Sequence, residues 1–314
     1  MKSTENKPTT KSIEEQKTKP TKSRFLATKK PTRKKEVKKE TSQPRKGTFI
    51  SPAQYETYLR SIQKFISEKK LKEASNTIET VEKIMDDVIQ DIYSRSNPRN
   101  TFLCFFFSMI ELSLCNDYYR DDQSDMVLLP YDYISLLSLK GQMYFFSGEI
   151  DKSKECIRKA LKFNPVCTDL YFLSADINKT QFNWFSFTMD LDKLYTFLYK
   201  ESDFRKYYRY LEMYYTEYDK RPDLCKILKL LGNEKSRDSL YQQFMALTTK
   251  QKSLLDEYKI PYDISKLVLD VLVNNCRNAL EKNEIQQYKY FFNILSQFRN
   301  DQTINQLIHS EEFM

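Results

Sequence analysis

The stretch LSLKGQMYFFSGEIDKSKECIRKALKFNP, residues 137–165, decides the fold class of this 314-residue chain. It holds two of the chain's four glycines, Gly141 and Gly148, at the spacing of a helix–turn–helix unit. We expect Gly141 to lie where two helices approach so closely that any side chain would hold them apart. Gly148 is expected in the turn, where a positive φ favours glycine. The stretch therefore predicts a helical hairpin.

The other positions of this hairpin hold large apolar residues, small residues and a terminal proline. Pro165 ends the second helix, because proline cannot continue a helix. The positions expected to pack the hairpin are Leu137, Gly141, Tyr144, Gly148, Ile150, Ser153, Ile157, Ala160 and Pro165. Over residues 131–165 this pattern resembles the tetratricopeptide (TPR) repeat, a helical hairpin of about 34 residues.

The TPR resemblance implies an all-α superhelix that presents a concave surface to another protein. Within that family, residues 135–144 and 160–167 are similar to a repeat of the sixth subunit of the anaphase-promoting complex, a scaffold in that ubiquitin ligase. This similarity implies a subunit of a larger assembly in cell-cycle control. The chaperone adaptors of the TPR family bind peptide carboxylates through lysines and asparagines on the first helix. Ser138 and Gln142 stand at those places here, which argues against a carboxylate clamp.

The first helix of the hairpin also predicts a groove-facing line of side chains. Core packing is expected to use Leu137, Gly141 and Tyr144. The opposite line then consists of Ser138, Gln142 and Phe145, with Phe146 beside it. Successive helix positions diverge by about 100°, so the two phenylalanines cannot share one narrow contact. Either one of them anchors a partner segment in the groove, or both pack against flanking hairpins.

The composition of the chain favours helices over strands. Four glycines and ten prolines are too few for many tight turns. Residues 102–114 form the most apolar stretch, which is interrupted by Ser108, Glu111 and Ser113, and we predict a buried helix over about 100–116. No run of 18 apolar residues exists, so we expect no membrane partner and a nuclear or cytoplasmic protein.

Charge separates an N-terminal tail from the rest of the chain. Residues 1–48 hold 16 basic and 5 acidic side chains, whereas the remainder holds 35 basic and 38 acidic ones. A segment this poor in apolar residues is expected to be disordered. Its densest basic run consists of Lys29, Lys30, Arg33, Lys34 and Lys35. The run is either a nuclear-import signal or an ordinary solvated tail, and nucleic acid is expected to bind, if at all, only through this tail.

Residues 49–314 are predicted to form one helical-repeat domain. Ser51 and Pro52 provide an N-cap and a first helical residue, opening a degenerate repeat with helices at 52–67 and 70–90. An acidic loop is expected at 121–125. After the best match a further repeat begins with Tyr171 and Ala175 but lapses at Asn178. Beyond about residue 180 we expect irregular helical hairpins or a separate helical part, with helical patterns at about 181–198, 203–218, 223–231, 236–258, 263–281 and 284–299.

Motifs for catalysis, cofactors and metals are missing from the sequence. It contains no Gly-rich phosphate-binding loop and no Gly-x-Ser-x-Gly. Its six cysteines are never closer than 11 residues, and His309 is the only histidine. We therefore expect no enzyme, no cofactor and no metal site, and we expect the cysteines to be small buried side chains.

The tyrosine-rich stretch 204–218 allows two interpretations. Its rings alternate with Arg205, Lys206 and Arg209, an arrangement able to stack bases and hold phosphates. Its apolar residues also recur at steps of three and four, as on the buried face of a helix. We favour core packing.

These patterns predict a non-enzymatic protein–protein interaction scaffold, a TPR-containing subunit of a larger assembly. The assembly suggested by the resemblance is a ubiquitin ligase of the anaphase-promoting type. The alternative is an adaptor that associates with RNA, a ribosome or a microtubule through its basic tail.

Overall fold

The computed structural model describes residues 50–119 and 125–310. The predicted disordered tail and its basic run at 29–35 lie outside these residues. Within them the chain forms fourteen α-helices and two short strands. The all-α fold class is therefore confirmed for the described part of the chain.

The helices and strands follow one another along the chain with short connections. They are α1 (Pro52–Ser67), α2 (Leu71–Arg95), β1 (Thr101–Cys104), α3 (Met109–Tyr118), β2 (Asp125–Leu128), α4 (Tyr133–Phe146), α5 (Ile150–Leu161), α6 (Thr168–Thr180), α7 (Trp184–Tyr195), α8 (Glu201–Glu217), α9 (Pro222–Leu231), α10 (Leu240–Ala246), α11 (Thr249–Glu257), α12 (Lys266–Glu281), α13 (Ile285–Leu295) and α14 (Asp301–His309). Packed hairpins are formed by α1 with α2, α4 with α5, α6 with α7, α8 with α9, and α12 with α13.

Each hairpin turn contains a residue with positive φ between its two helices. These residues are Lys69, Gly148, Phe182, Lys220 and Asn283. In the α4–α5 turn, the N–H of Glu149 donates to the carbonyl of Tyr144 at 2.9 Å. The N–H of Asn183 donates in the same way to Asn178 at 2.9 Å in the α6–α7 turn. Such bonds satisfy the last carbonyls of a helix and let the next helix begin within three residues.

The first two hairpins are separated by a β–α–β insertion that the sequence did not indicate. The predicted helix over 100–116 is wrong in its first half, because residues 101–104 form β1 and pair in parallel with β2. Ser108 then caps α3 by accepting from the backbone N–H of Glu111. The predicted loop at 121–125 is corrected at its last residue, since Asp125 begins β2.

The helices beyond residue 180 agree closely with the predicted patterns, except that α14 has no predicted counterpart and one pattern is divided. The pattern at 236–258 is split into α10 and α11, because Thr248 caps a new helix. The hairpin α6–α7 forms even though the repeat pattern lapses at Asn178. There Asn178 is buried and its amide donates to the carboxylate of Asp190 on α7 at 2.7 Å, so a polar bond joins helices where the repeat would place an apolar side chain.

The buried apolar side chains form two clusters. The first lies among α1, α2, α4 and α5, with contributions from β1 and α6. The second, larger cluster is built from α3 and from α6 to α14. Tyr207 and Tyr208 of α8 are buried in it, whereas Tyr218 at the end of the stretch is 57% exposed and stacks on Trp184 at 5.8 Å. The core-packing interpretation of the tyrosine-rich stretch is therefore confirmed.

Two buried charged side chains tie distant segments together. Arg205 of α8 binds Glu201 in the same helix and donates to the carbonyls of Asn233 and Asp238, each at 2.8 Å. Glu111 of α3 accepts from the amide of Asn164 and the N–H of Phe107, each at 2.9 Å, and from the hydroxyl of Tyr199. Asn164, Tyr199, Asn233 and Asp238 lie in connecting segments, so these networks hold those segments against α3 and α8.

Candidate functional site

A groove of about 530 Å³ lies between α1 and α4, the first helices of the first two hairpins. Its walls combine polar and apolar side chains. They are Pro52, Tyr55, Glu56, Leu59, Arg60 and Gln63 on the α1 side, Phe105 after β1, and Pro130, Tyr131, Asp132, Ser135, Ser138, Leu139 and Gln142 on the α4 side.

Local sequence determines how α1 presents its wall of the groove. Ser51 and Gln54 form a reciprocal capping box, and Pro52 supplies the first helical residue. Ile62 and Ile66 face the core of the first hairpin. The helical period then leaves the adjacent side of α1, with Glu56, Arg60 and Gln63, open to solvent and to the groove.

The floor of the groove is held by stacked tyrosines. Tyr55 stacks on Tyr131 with ring centroids 5.0 Å apart. The hydroxyl of Tyr55 donates to the carbonyl of Asp132 at 2.8 Å, and that of Tyr131 donates to the carbonyl of Ile50 at 2.6 Å. Burial raises the pKa of the Tyr55 hydroxyl, which keeps it a neutral donor. These bonds hold both tyrosine rings in place in the floor of the groove.

The charges of the groove nearly balance. Glu56 and Arg60 form a solvent-exposed ion pair of 3.0 Å within α1. Asp132 caps α4 by accepting from the N–H of Ser135 at 2.8 Å, while burial raises the pKa of its carboxyl. The remaining polar groups are the amides of Gln63 and Gln142 and the hydroxyls of the α4 serines. Such uncharged groups donate to and accept from a peptide main chain equally well.

Only two of the four residues predicted to face the groove line it in the structure. Ser138 and Gln142 line the groove. Phe145 does not, because it lies in the last turn of α4 and packs half-buried against the first core cluster. Phe146 is 63% exposed and also lies away from the groove lining. The aromatic side chains of the groove lining are instead Tyr55 and Tyr131, which are buried, and the half-buried Phe105.

The expected packing positions lie at or near the contact of α4 with α5. Leu137, Gly141, Ser153, Ile157 and Ala160 are buried, Tyr144, Ile150 and Pro165 are half-buried, and Gly148 is exposed with φ +77°. The hydroxyl of Ser153 donates to the carbonyl of Gly141 at 2.7 Å. The ammonium of Lys152 lies 5.3 Å from the Tyr144 ring centroid, a cation–π contact.

The expectation that no side chain fits at Gly141 needs correction. A β-carbon at this position would lie 3.5 Å from Cβ of Cys156 and 3.5 Å from the carbonyl of Ser153, which are ordinary contacts. The most restricted glycine of the three described is Gly232, where a β-carbon would lie 2.8 Å from Cγ of Arg209. Gly232 follows α9 directly, and its position as a C-cap after a helical pattern was the available sequence signal.

Sequence analysis did not find the α1 wall of the groove. The sequence predicts the helix itself, but the predicted groove line lay only on the best-matching hairpin. The polar residues Glu56, Arg60 and Gln63 recur at steps of four and three on the face adjacent to that of Ile62 and Ile66. That spacing was the signal that could have located this wall.

Residues 50–119 and 125–310 contain no group of three or more His, Cys, Asp or Glu side chains placed to hold a metal ion. Five cysteines are buried and Cys225 is partly buried, all of them as free thiols. No helix in the same part is both long and apolar enough to cross a bilayer.

Comparisons with known proteins do not assign the chain to a family. No protein-family model matches the chain, and no curated protein or solved structure matches it. Functional conclusions therefore rest on the residues and contacts described above.

Proposed function

We propose that this protein is a non-enzymatic scaffold of the TPR type, which binds a segment of another protein in the groove between α1 and α4. The observation that carries the proposal is the position of this groove between the first helices of two hairpins, lined by Ser138 and Gln142. The TPR assignment is supported by the turn geometry, since the positive-φ residues Gly148 and Phe182 lie 34 residues apart.

The side chains of the groove indicate what kind of segment it accepts. Gln63 and Gln142 offer amides from opposite walls, and they suit the main chain of a peptide. Leu59, Leu139 and Phe105 supply apolar surface between them. The occupant is therefore a protein segment with an apolar anchor residue flanked by accessible main chain.

The larger assembly is proposed to be a ubiquitin ligase complex of the anaphase-promoting type, acting in the cell cycle. Its support is the sequence similarity of residues 135–144 and 160–167. The second candidate is an adaptor for RNA, a ribosome or a microtubule. It is supported by the excess of 11 positive charges in residues 1–48 over a body with an excess of 3 negative charges.

Quantitative affinity purification tests these proposals with a matched pair of variants. Gln142→Arg places a long cation in the groove, whereas Gln90→Arg makes the same change at an exposed position of α2. We expect the wild type and Gln90→Arg to recover the same partner and Gln142→Arg to lose it. Recovery of ligase subunits supports the first candidate, and recovery of ribosomal proteins or tubulin supports the second. Equal recovery by both variants would contradict a role for the groove.

Nuclear location is proposed from the basic run alone. Replacing Lys29, Lys30, Arg33, Lys34 and Lys35 by glutamine removes its charge without adding apolar surface. Fluorescence microscopy of the tagged protein should then show loss of nuclear signal. An unchanged distribution would mean that the run is an ordinary solvated segment.

A further inference from the structure

The α1–α4 groove lies beside the point where the N-terminal segment joins the helices. The hydroxyl of Tyr131, in the floor of the groove, donates to the carbonyl of Ile50 at 2.6 Å. Pro52, two residues further on, belongs to the groove lining. The sequence holds 49 residues before Ile50. The residues directly before Ile50 are therefore attached at one end of the groove.

Both helices of the groove begin at this same end. The hydroxyl of Tyr55, in the first turn of α1, donates to the carbonyl of Asp132, the N-cap of α4, at 2.8 Å. The lining then extends along α1 to Gln63 and along α4 to Gln142. At about 1.5 Å per residue, the path from Pro52 to Gln63 is about 16 Å long. An occupant attached at Ile50 must cover this distance to fill the groove.

The residues just before Ile50 have the length that this path requires. Residues 44–49 read PRKGTF. An extended chain covers about 3.3 Å per residue, so Arg45 reaches about 16 Å from Ile50. A segment of this length, running antiparallel to α1, spans the groove from its attached end to the two glutamines.

The side chains of residues 44–49 also complement those of the groove. The segment contains two cationic side chains and no acidic one. The lining holds two carboxyl groups, those of Glu56 and Asp132, against the single guanidinium of Arg60. The segment ends in an aromatic residue, Phe49, and the half-buried leucines of both walls offer apolar surface to it. Charge and apolar surface therefore both favour this segment as an occupant.

We propose that residues 44–49 bind in the α1–α4 groove of their own chain and compete there with the partner segment. The competition rests on the proposed function, since it requires a partner that uses the same groove. A segment attached this close to its site meets it at an effective concentration of the order of millimolar. Weak contacts then suffice to occupy the groove, and a partner must bind strongly enough to displace the segment. The contact is autoinhibitory.

Thiol labelling of the purified full chain tests this contact without any partner. Gln142→Cys places a reporter in the groove, and Gln90→Cys places the control on α2. The rate of reaction with a maleimide is followed by peptide mass mapping, which separates the reporter from the six native thiols. R45E/K46E reverses the charge of the segment. It should raise the labelling rate at position 142 about threefold, because the effective concentration no longer exceeds the dissociation constant, and leave position 90 unchanged.

Two further variants separate a specific contact from overall charge. K29E/K30E makes the same change in charge outside the segment and should leave both labelling rates unchanged. Phe49→Ser removes the apolar side chain without changing charge, and it should also raise the rate at position 142. Unchanged labelling of position 142 in both R45E/K46E and Phe49→Ser overturns the proposal. An equal rise in K29E/K30E and R45E/K46E overturns it too.

Failure of this proposal is distinguishable from failure of the proposed function. If Gln142→Arg loses the partner in affinity purification while the thiol of Gln142→Cys is unprotected, the groove binds a partner and the autoinhibitory contact is refuted. If that thiol is protected by the segment and Gln142→Arg still recovers every partner, the contact exists but does not compete, and the proposal is again refuted.

Discussion

Substitutions at Gly141 test the packing of α4 on α5 most sharply. A β-carbon there would meet Cys156 and Ser153 at 3.5 Å and Ile157 at 3.8 Å, so one methyl group fits without displacement. Alanine should then gain about 0.8–1 kcal/mol of stability, because glycine is a poor residue inside a helix. Leucine adds three further heavy atoms against the same neighbours, and this overpacking should cost about 1–3 kcal/mol.

Urea unfolding of the full chain, followed by circular dichroism, measures both changes against a control in the same hairpin. Gly148 has φ +77° with no atom within 4 Å of a built β-carbon, so Gly148→Ala introduces backbone strain alone and should cost about 1–2 kcal/mol. We predict that Gly141→Ala has a higher free energy of unfolding than the wild type. Gly148→Ala and Gly141→Leu should both have a lower one. A Gly141→Leu variant as stable as the wild type would show that this position is not at the helix contact.

Three further substitutions probe the networks and turns. Arg205→Met removes a buried guanidinium that joins Glu201 to the carbonyls of Asn233 and Asp238, and chemical unfolding should show a loss of about 3–5 kcal/mol. Burial raises the pKa of Glu111 above 4.5, so the folded state holds this proton more tightly than the unfolded state and wild-type stability falls as pH rises through that region. Glu111→Gln does not titrate, and its stability relative to the wild type should therefore increase as the pH rises above 4.5, as measured by urea unfolding. Phe182 is 78% exposed with φ +54°, and Phe182→Gly should raise the free energy of unfolding by about 0.5–1 kcal/mol, whereas a loss of stability would show that its ring is packed.

Local signals explain which parts of the fold were predictable. The α4–α5 hairpin was predictable because its two helices are adjacent in the sequence. The spacing of its glycines, small residues and apolar residues therefore indicates which positions pack together. The strands β1 and β2 were missed because parallel pairing joins segments more than 20 residues apart and leaves no periodic pattern in a four-residue strand. The division of residues 236–258 depended on one capping residue, Thr248, inside an otherwise helical pattern.

The candidate site was predictable only in part. Ser138 and Gln142 follow from helix geometry once the packed face of α4 is known. Phe145 was misplaced because the extent of the groove depends on where α1 lies, which is a tertiary property.

Site-specific photocrosslinking tests the proposed binding role of the α1–α4 groove most directly. A benzophenone amino acid is placed at Gln63 or Gln142 on the two walls, and at Gln90 on α2 as the control, in the full chain expressed in its own cells. We predict that both groove positions crosslink to the same segment of one partner protein and that Gln90 does not. Identical products from all three positions, or none from either groove position, would contradict the assignment of this groove as the binding surface.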